Sequence, residues 1–176
     1  MLPVVQLGRE RRTTAEDEAS GPYWGLGWLV TGVDTRSPAN DPVAAENLAD
    51  FVRDTRFQFA SVDVVAGDLA MLLEGARAVF HLAALPGMRR SWGDRFADYL
   101  TCNVLGTQRL LETCAMAEVP RLVFASSSSI YGPTDGTPSR ESDPLAPMSP
   151  YGVSKLAAAG PRSARSTRAP TRSSGW

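Results

Sequence analysis

Between residue 27 and about residue 158 the chain alternates short apolar runs with segments whose apolar residues recur at helical spacing. Residues 29–33 (LVTGV) form an apolar run ending at Asp34, and residues 57–62 (FQFASV) alternate as a strand and end at Asp63. Residues 78–84 (AVFHLAA) read as a buried strand followed by Pro86-Gly87, and residues 122–125 (LVFA) as another that runs into Ser126–Ser129. Between them, residues 44–52 and 69–73 have helical periodicity. Residues 96–117 predict one long helix with apolar positions at Tyr99, Leu100, Val104, Leu110, Leu111 and Cys114. Continuous apolar strands separated by helices predict an α/β fold, a doubly wound parallel sheet covered on both faces. Such sheets bind ligands at the carboxyl ends of their strands.

The ends break this pattern. Residues 8–22 (GRERRTTAEDEASGP) have no apolar face, so they cannot supply a crossover helix packed on a sheet. Residues 160–176 contain only Gly, Pro, Arg, Ser, Ala, Thr and Trp176. The expected organisation is an atypical, disordered segment over 1–26, a partial nucleotide-binding domain over 27–159, and a disordered Arg/Ser-rich tail over 160–176.

Composition narrows the function classes. The 176 residues carry a net charge of −1, which excludes a nucleic-acid binder working through bulk electrostatics. Cys102 and Cys114 are too few for a disulfide scaffold or a structural zinc site. No apolar run approaches the roughly 20 residues of a membrane span. The N-terminal apolar stretch is short, and its charges follow rather than precede it, unlike a signal peptide. The expectation is a soluble, cytoplasmic protein with no metal, nucleic-acid or membrane partner. Of the 18 basic residues only Lys155 is a lysine, and His81 is the one histidine, better read as a core residue than as a catalyst.

That lysine carries the chemistry. Pro150 presets a helix start, so Tyr151 and Lys155, four residues apart, share a helical face. An ammonium beside a phenol favours the phenolate, which makes a tyrosine a usable general acid/base toward a sugar or alcohol hydroxyl. With one Lys and four Tyr in the chain, this spacing arises by chance about 2% of the time. Upstream, a buried strand opens directly into four serines, whose hydroxyls stand at the ligand-binding edge.

Five segments together carry a family resemblance: GVD at 32–34, HLAA at 81–84, NVLGT at 103–107, SSSSIYG at 126–132 and SPYGVSK at 149–155. In order and spacing, residues 27–158 resemble the extended short-chain dehydrogenases/reductases, in particular their nucleotide-sugar epimerases and dehydratases. The stretch HLAALPGMRRSW at 81–92 is most similar to the branch acting on UDP-sugars, including UDP-glucuronate 4-epimerases. The resemblance implies Tyr151 as base, Lys155 as its activator and a ligand of the nicotinamide ribose, and Ser127 as the hydroxyl partner. It implies NAD as cofactor, with Asp34 receiving the adenosine ribose hydroxyls, a carboxylate that repels the 2′-phosphate of NADP. Asp63 and Val64 would flank the adenine, Leu82, Ala83 and Ala84 would line the cofactor, and Asn103 would bond backbone nearby. Arg89, Ser127 and Ser128 would face a nucleotide-sugar substrate, and intact relatives would be homodimers. The implied reaction is 4-epimerisation through a transient 4-keto sugar. Ser128-Ser129 stand where dehydratases carry an Asp-Glu pair, which favours epimerase over dehydratase.

The chain departs from this family at two places. A first strand followed by Gly-x-x-Gly-x-x-Gly is not recognisable, since Gly21, Gly25 and Gly27 have another spacing and stand too close to Asp34. After residue 159 the substrate-domain pattern is missing. The expectation from both ends is truncation, with flanks from shifted reading frames. Besides an active epimerase, the sequence therefore allows a catalytically inactive Rossmann remnant, or a non-catalytic NAD-binding or scaffold protein.

Overall fold

The structure, a computed structural model, describes residues 5–10, 28–134 and 136–163. The chain divides into two compact units, Met1–Leu85 with Arg109–Ala125 and Pro86–Gln108 with Ser126–Trp176.

The first unit holds a five-stranded sheet of β1 (Val5–Glu10), β2 (Trp28–Asp34), β3 (Phe57–Ser61), β4 (Ala78–His81) and β5 (Leu122–Phe124), in the order β3-β2-β1-β4-β5. β2 pairs with β3, and β4 with β5, in parallel. This is the strand order of a doubly wound nucleotide-binding sheet. Helix α1 (Pro42–Leu48) starts where Asp41 Oδ1 accepts the Val43 and Ala44 N–H groups at 2.9 and 3.0 Å, with Pro42 in its first turn. It buries Ala44 and Leu48. The short helix α2 (Ala70–Leu73) and residues 109–116 of α4 (Gly106–Met116) supply the rest of the core. There Leu69, Leu73, Leu110 and Cys114 close over Val33 and Val79. Burial pushes the Cys114 thiol up to about 11, the behaviour of a packing group rather than a reactive one.

The centre of the sheet differs from the expected all-parallel arrangement. β1 lies inside the segment expected to be disordered, and it pairs antiparallel with both β2 (Val5↔Val33 to Glu10↔Trp28) and β4 (Val5↔His81 to Gly8↔Ala78). A parallel neighbour would require a crossover of a dozen or more residues, usually helical, whereas an antiparallel one does not. Residues 8–22 have no apolar face from which to build that helix, so reversal is the pairing open to this sequence. The remainder of 1–26 lies outside the described residues.

In the second unit, α3 (Phe96–Tyr99) passes into a π-helical stretch, Leu100–Leu105, and then into the first turn of α4. The single long helix expected over 96–117 is thus interrupted by a wider turn. Apolar periodicity does not register such a bulge, and bulges of this kind recur at functional sites. Two 3-10 turns, Arg89–Ser91 and Gly93–Arg95, precede α3, and a third, Ser128–Ile130, follows β5. Helix α5 (Pro150–Ser163) ends the described chain, and residues 164–176 of the expected tail lie outside it.

Candidate active site

Helix α5 presents Tyr151 and Lys155 one turn apart, and its start is closed by three different acceptors. Pro150 has no N–H to satisfy. The Tyr151 N–H donates to Ser91 Oγ at 3.0 Å, the Gly152 N–H to Ser149 Oγ at 3.1 Å, and the Val153 N–H to the Ser149 carbonyl at 2.9 Å. Every early N–H that a helix start leaves open is therefore bonded. Tyr151 is half-buried and meets the ring of Tyr99 edge-on, with centroids 6.2 Å apart and planes at 79°.

Lys155 is almost completely enclosed, at 3% exposure. Burial pushes its ammonium down to about 8, and Cys102, beside it, acts in the opposite direction. Near neutral pH the group is still mostly charged, so a positive charge stands in a low-dielectric place one helical turn from the phenol.

Asn103, also buried, occupies the π-helical stretch. Its Nδ2 donates to Ser154 Oγ at 2.9 Å, and Ser154 Oγ donates to the Tyr151 carbonyl at 2.8 Å. Thr107 Oγ1 in turn donates to the Asn103 carbonyl at 2.6 Å. This chain of bonds links the widened turn to the backbone of the Tyr151 helix.

The serine run enters from the other side. Ser127 is extended and half-buried, its Oγ accepts the Ser129 N–H at 3.2 Å, and the Ser128–Ile130 turn begins there. Ser128 is exposed. The turn and α5 approach so closely that a Cβ on Gly152 would lie 2.5 Å from the Ser129 carbonyl oxygen. Gly132, at φ +80°, likewise has no room for a side chain against the Ala146 carbonyl.

The second unit thus brings together Tyr151, Lys155, Asn103 and the Ser127–Ser128 strand end, and holds Arg89 exposed in its 3-10 turn. Ser91, Tyr99, Ser149, Gly152 and Ser154 are parts of the same assembly that sequence reasoning did not single out. Only Ser149 had a readable signal, a serine directly before a proline that opens a helix.

The remaining predicted residues belong to the first unit. Asp34 is buried at the end of β2, where its Oδ1 accepts the Arg36 N–H at 2.9 Å and the Thr35 hydroxyl at 3.4 Å. Its Oδ2 is buried without a hydrogen-bond partner among the described residues. An orphaned carboxylate oxygen at the carboxyl end of a parallel strand fits a ribose hydroxyl. Asp63 is exposed, with Oδ1 accepting the Val65 N–H at 2.7 Å, and Val64 is half-buried against the core. After β4, Leu82 is exposed and Ala83 and Ala84 are half-buried. His81 is a buried strand residue beside the Phe124 ring.

The pyrophosphate end of a dinucleotide finds less. In a doubly wound sheet the phosphate-binding loop leaves the central strand beside the acid that takes the ribose. Here Glu10 is paired with Trp28, so β1 ends at the edge opposite Asp34. Gly21, Gly25 and Gly27 lie outside the described residues. The described residues fit the adenosine ribose and leave the pyrophosphate without its usual glycine grip.

Comparison with known proteins agrees with the geometry. Residues 24–160 match the model of the NAD dependent epimerase/dehydratase family. The chain is 44% identical over 128 residues to an uncharacterised UDP-glucose epimerase of Bacillus subtilis, covering 72% of this chain and 40% of that protein. To the UDP-glucose 4-epimerase of Mycolicibacterium smegmatis it is 38% identical over 131 residues, covering 73% of this chain and 40% of that one. Among solved structures, UDP-glucuronic acid 4-epimerase from Bacillus cereus, in complex with UDP-glucuronic acid and NAD, superposes with a TM-score of 0.67 at 38% identity, over 74% of this chain and 41% of the other. The chain thus spans about two-fifths of the length of the relatives it matches. With an α/β sheet in the strand order of the nucleotide-binding fold and a tyrosine–lysine helix on a π-bulged asparagine, the chain belongs to the NAD dependent epimerase/dehydratase family.

Proposed function

We propose that the chain carries the proton-transfer machinery of a nucleotide-sugar 4-epimerase acting on a UDP-sugar. The carrying observation is the enclosed ammonium of Lys155 one turn from Tyr151, on a helix whose start is fully bonded. Tyr151 takes the proton of the sugar 4-hydroxyl as C4 loses its hydride, and returns it to the same oxygen when, after the 4-keto sugar has turned over, the hydride is given back to the other face of C4. Lys155 holds positive charge beside the phenolate that forms. Ser127 lends a hydroxyl to the reacting oxygen, and Arg89 and Ser128, both exposed, are available to the substrate. NAD, when bound, supplies the hydride acceptor. Asp34 would hold its adenosine ribose through the orphaned Oδ2, Asp63 and Val64 would flank the adenine, and Leu82, Ala83 and Ala84 would line it. The small alanines permit close approach. Without a carboxylate beside Ser127, no residue of the run is suited to eliminating water, which favours epimerisation over dehydration.

A second reading has one observation in its favour, the reversed β1, beside which the described residues hold no glycine loop for the pyrophosphate. In it the chain keeps its tyrosine–lysine pair but binds NAD weakly and turns over no sugar. Calorimetric titration with NAD, followed by incubation with UDP-glucose or UDP-glucuronic acid and separation of the 4-epimers, decides between them. The epimerase reading requires NAD binding and interconversion that Tyr151→Phe lowers by 10²-fold or more. An absence of NAD binding at millimolar concentration would sink it.

A further inference from the structure

We propose that Ser91 is a positioning residue for Tyr151, tying the backbone of the proton-transfer tyrosine to the loop that bears Arg89. The inference rests on the reading of Tyr151 given above, and its test is independent of turnover.

Ser91 is completely enclosed, at 0% exposure, and both capacities of its hydroxyl are in use. A carbonyl oxygen can only accept, so the bond of 2.7 Å to the Met88 carbonyl takes the hydroxyl proton. A lone pair is thereby left facing the Tyr151 N–H at 3.0 Å. The two residues are 60 positions apart in sequence, so this is a tertiary tie and not a local cap.

Helix initiation does not need it. Ser149 already serves as the N-cap through its side chain and its carbonyl, and Pro150 removes one open donor. The one early donor left over is that of Tyr151, and Ser91 accepts it from outside the helix. What the tie adds is location. It fixes the residue whose phenol must meet a substrate hydroxyl, and it fixes it to the Arg89–Ser91 turn, where Arg89 is exposed.

The other end of that loop is fastened as well. Tyr99, buried in α3, donates its hydroxyl to the Pro86 carbonyl at 2.8 Å, with the Gly87 carbonyl at 3.1 Å, while its ring meets the Tyr151 ring edge-on. Residues 86–91 therefore form a bracket pinned by Tyr99 at its start and by Ser91 at its end, and both pins touch Tyr151. A substrate anion engaged by Arg89 would meet a loop that cannot move without moving Tyr151.

The test uses the whole 176-residue chain labelled with ¹³C,¹⁵N-tyrosine and ¹⁵N-valine, with Tyr151→Phe and Val153→Ile to assign the two signals and no cofactor or sugar present. Amide exchange of Tyr151 and Val153 is followed in the wild type, in Ser91→Ala, which leaves a small gap, and in Ser91→Cys, which fills the site with a slightly larger atom but offers only a weak acceptor. The ring resonances of Tyr151 are compared with those in Tyr99→Leu. The expected result is at least tenfold faster exchange at Tyr151 in either Ser91 variant, with Val153 changed less than twofold. The Tyr151 ring resonances should also move toward their Tyr99→Leu positions. Unchanged exchange at Tyr151, or equal acceleration at Val153, would overturn the proposal, the latter because it marks loss of the whole helix start. Failure of sugar turnover leaves this result standing, and the converse holds, so the two readings fail separately.

Discussion

Lys155 is charged in a place that opposes charge, and this makes the stability of the fold depend on pH with a definite sign. Its folded value is about 8 against 10.5 for the free group, with burial as the main cause. Below pH 8 both the folded and unfolded states hold the proton, and the folded state bears the full cost. Between about 8 and 10.5 the folded state has released the proton and the unfolded state has not. The unfolded state then binds more protons, so stability rises with pH across that window. The full span corresponds to about 3 kcal/mol as an order of magnitude. Urea denaturation at pH 7 and at pH 9.5, in the wild type and in Lys155→Met, isolates this contribution. The wild type should gain on the variant as pH rises, and a difference between the two that is independent of pH would remove the burial account. An arginine could not substitute, because it neither releases its proton nor fits a compact enclosed position.

At the scale of elements, the meeting of α5 with the Ser128–Ile130 turn decides where Tyr151 stands, and Gly152 sets how close they come. Alanine in a helix interior is favoured over glycine by up to about 1 kcal/mol. At Gly152, however, the new Cβ would stand 2.5 Å from the Ser129 carbonyl oxygen and 3.1 Å from Pro147 Cβ, and a backbone oxygen in a capped turn cannot swing aside. Overpacking of this kind costs about 1–3 kcal/mol and outweighs the propensity gain. Gly152→Ala should therefore lower the thermal midpoint. Val153→Ala, at an exposed position of the same helix, should change it far less. Equal shifts in the two variants would show that α5 does not press on the turn. The helix itself was legible in the sequence from Pro150 and the Tyr151–Lys155 spacing, as were β2 to β5, because unbroken apolar runs report burial directly. The bulge holding Asn103 and the tie from Ser91 to the Tyr151 helix were not. The apolar positions between Tyr99 and Leu110 are too sparse to report one extra residue in a turn, and a serine 60 residues away bears no local sign that it accepts from Tyr151. Of the candidate site, then, the proposed Tyr151–Lys155 pair, Asn103 and Ser149 were readable, and Ser91, Tyr99 and Ser154, which pack around them, were not.

For the molecule as a whole, the decisive feature is the strand at the middle of the sheet. β1 bonds to β2 on one side and β4 on the other, and nothing else joins those two strands within the sheet. Its direction is fixed by its register, Val5 opposite Val33 on one side and His81 on the other. The sequence shows that the glycine loop of the expected first strand is missing, but not that residues 5–10 pair in reverse at the centre of the sheet. A strand shows its register partners only in the fold, and VQLGRE has a weak apolar alternation. Removing residues 1–10 leaves the facing edges of β2 and β4 with open N–H and C=O groups along apolar strands, WLVTGVD and AVFH. Open edges of that kind pair with other chains. The shortened chain should thus elute as dimers or larger species in size-exclusion chromatography with light scattering, at concentrations where the full chain keeps its own elution position. If the two run alike and amide exchange in β2 and β4 stays slow, those strands have found each other directly. The sheet would then be parallel throughout, and the antiparallel β1 dispensable to it.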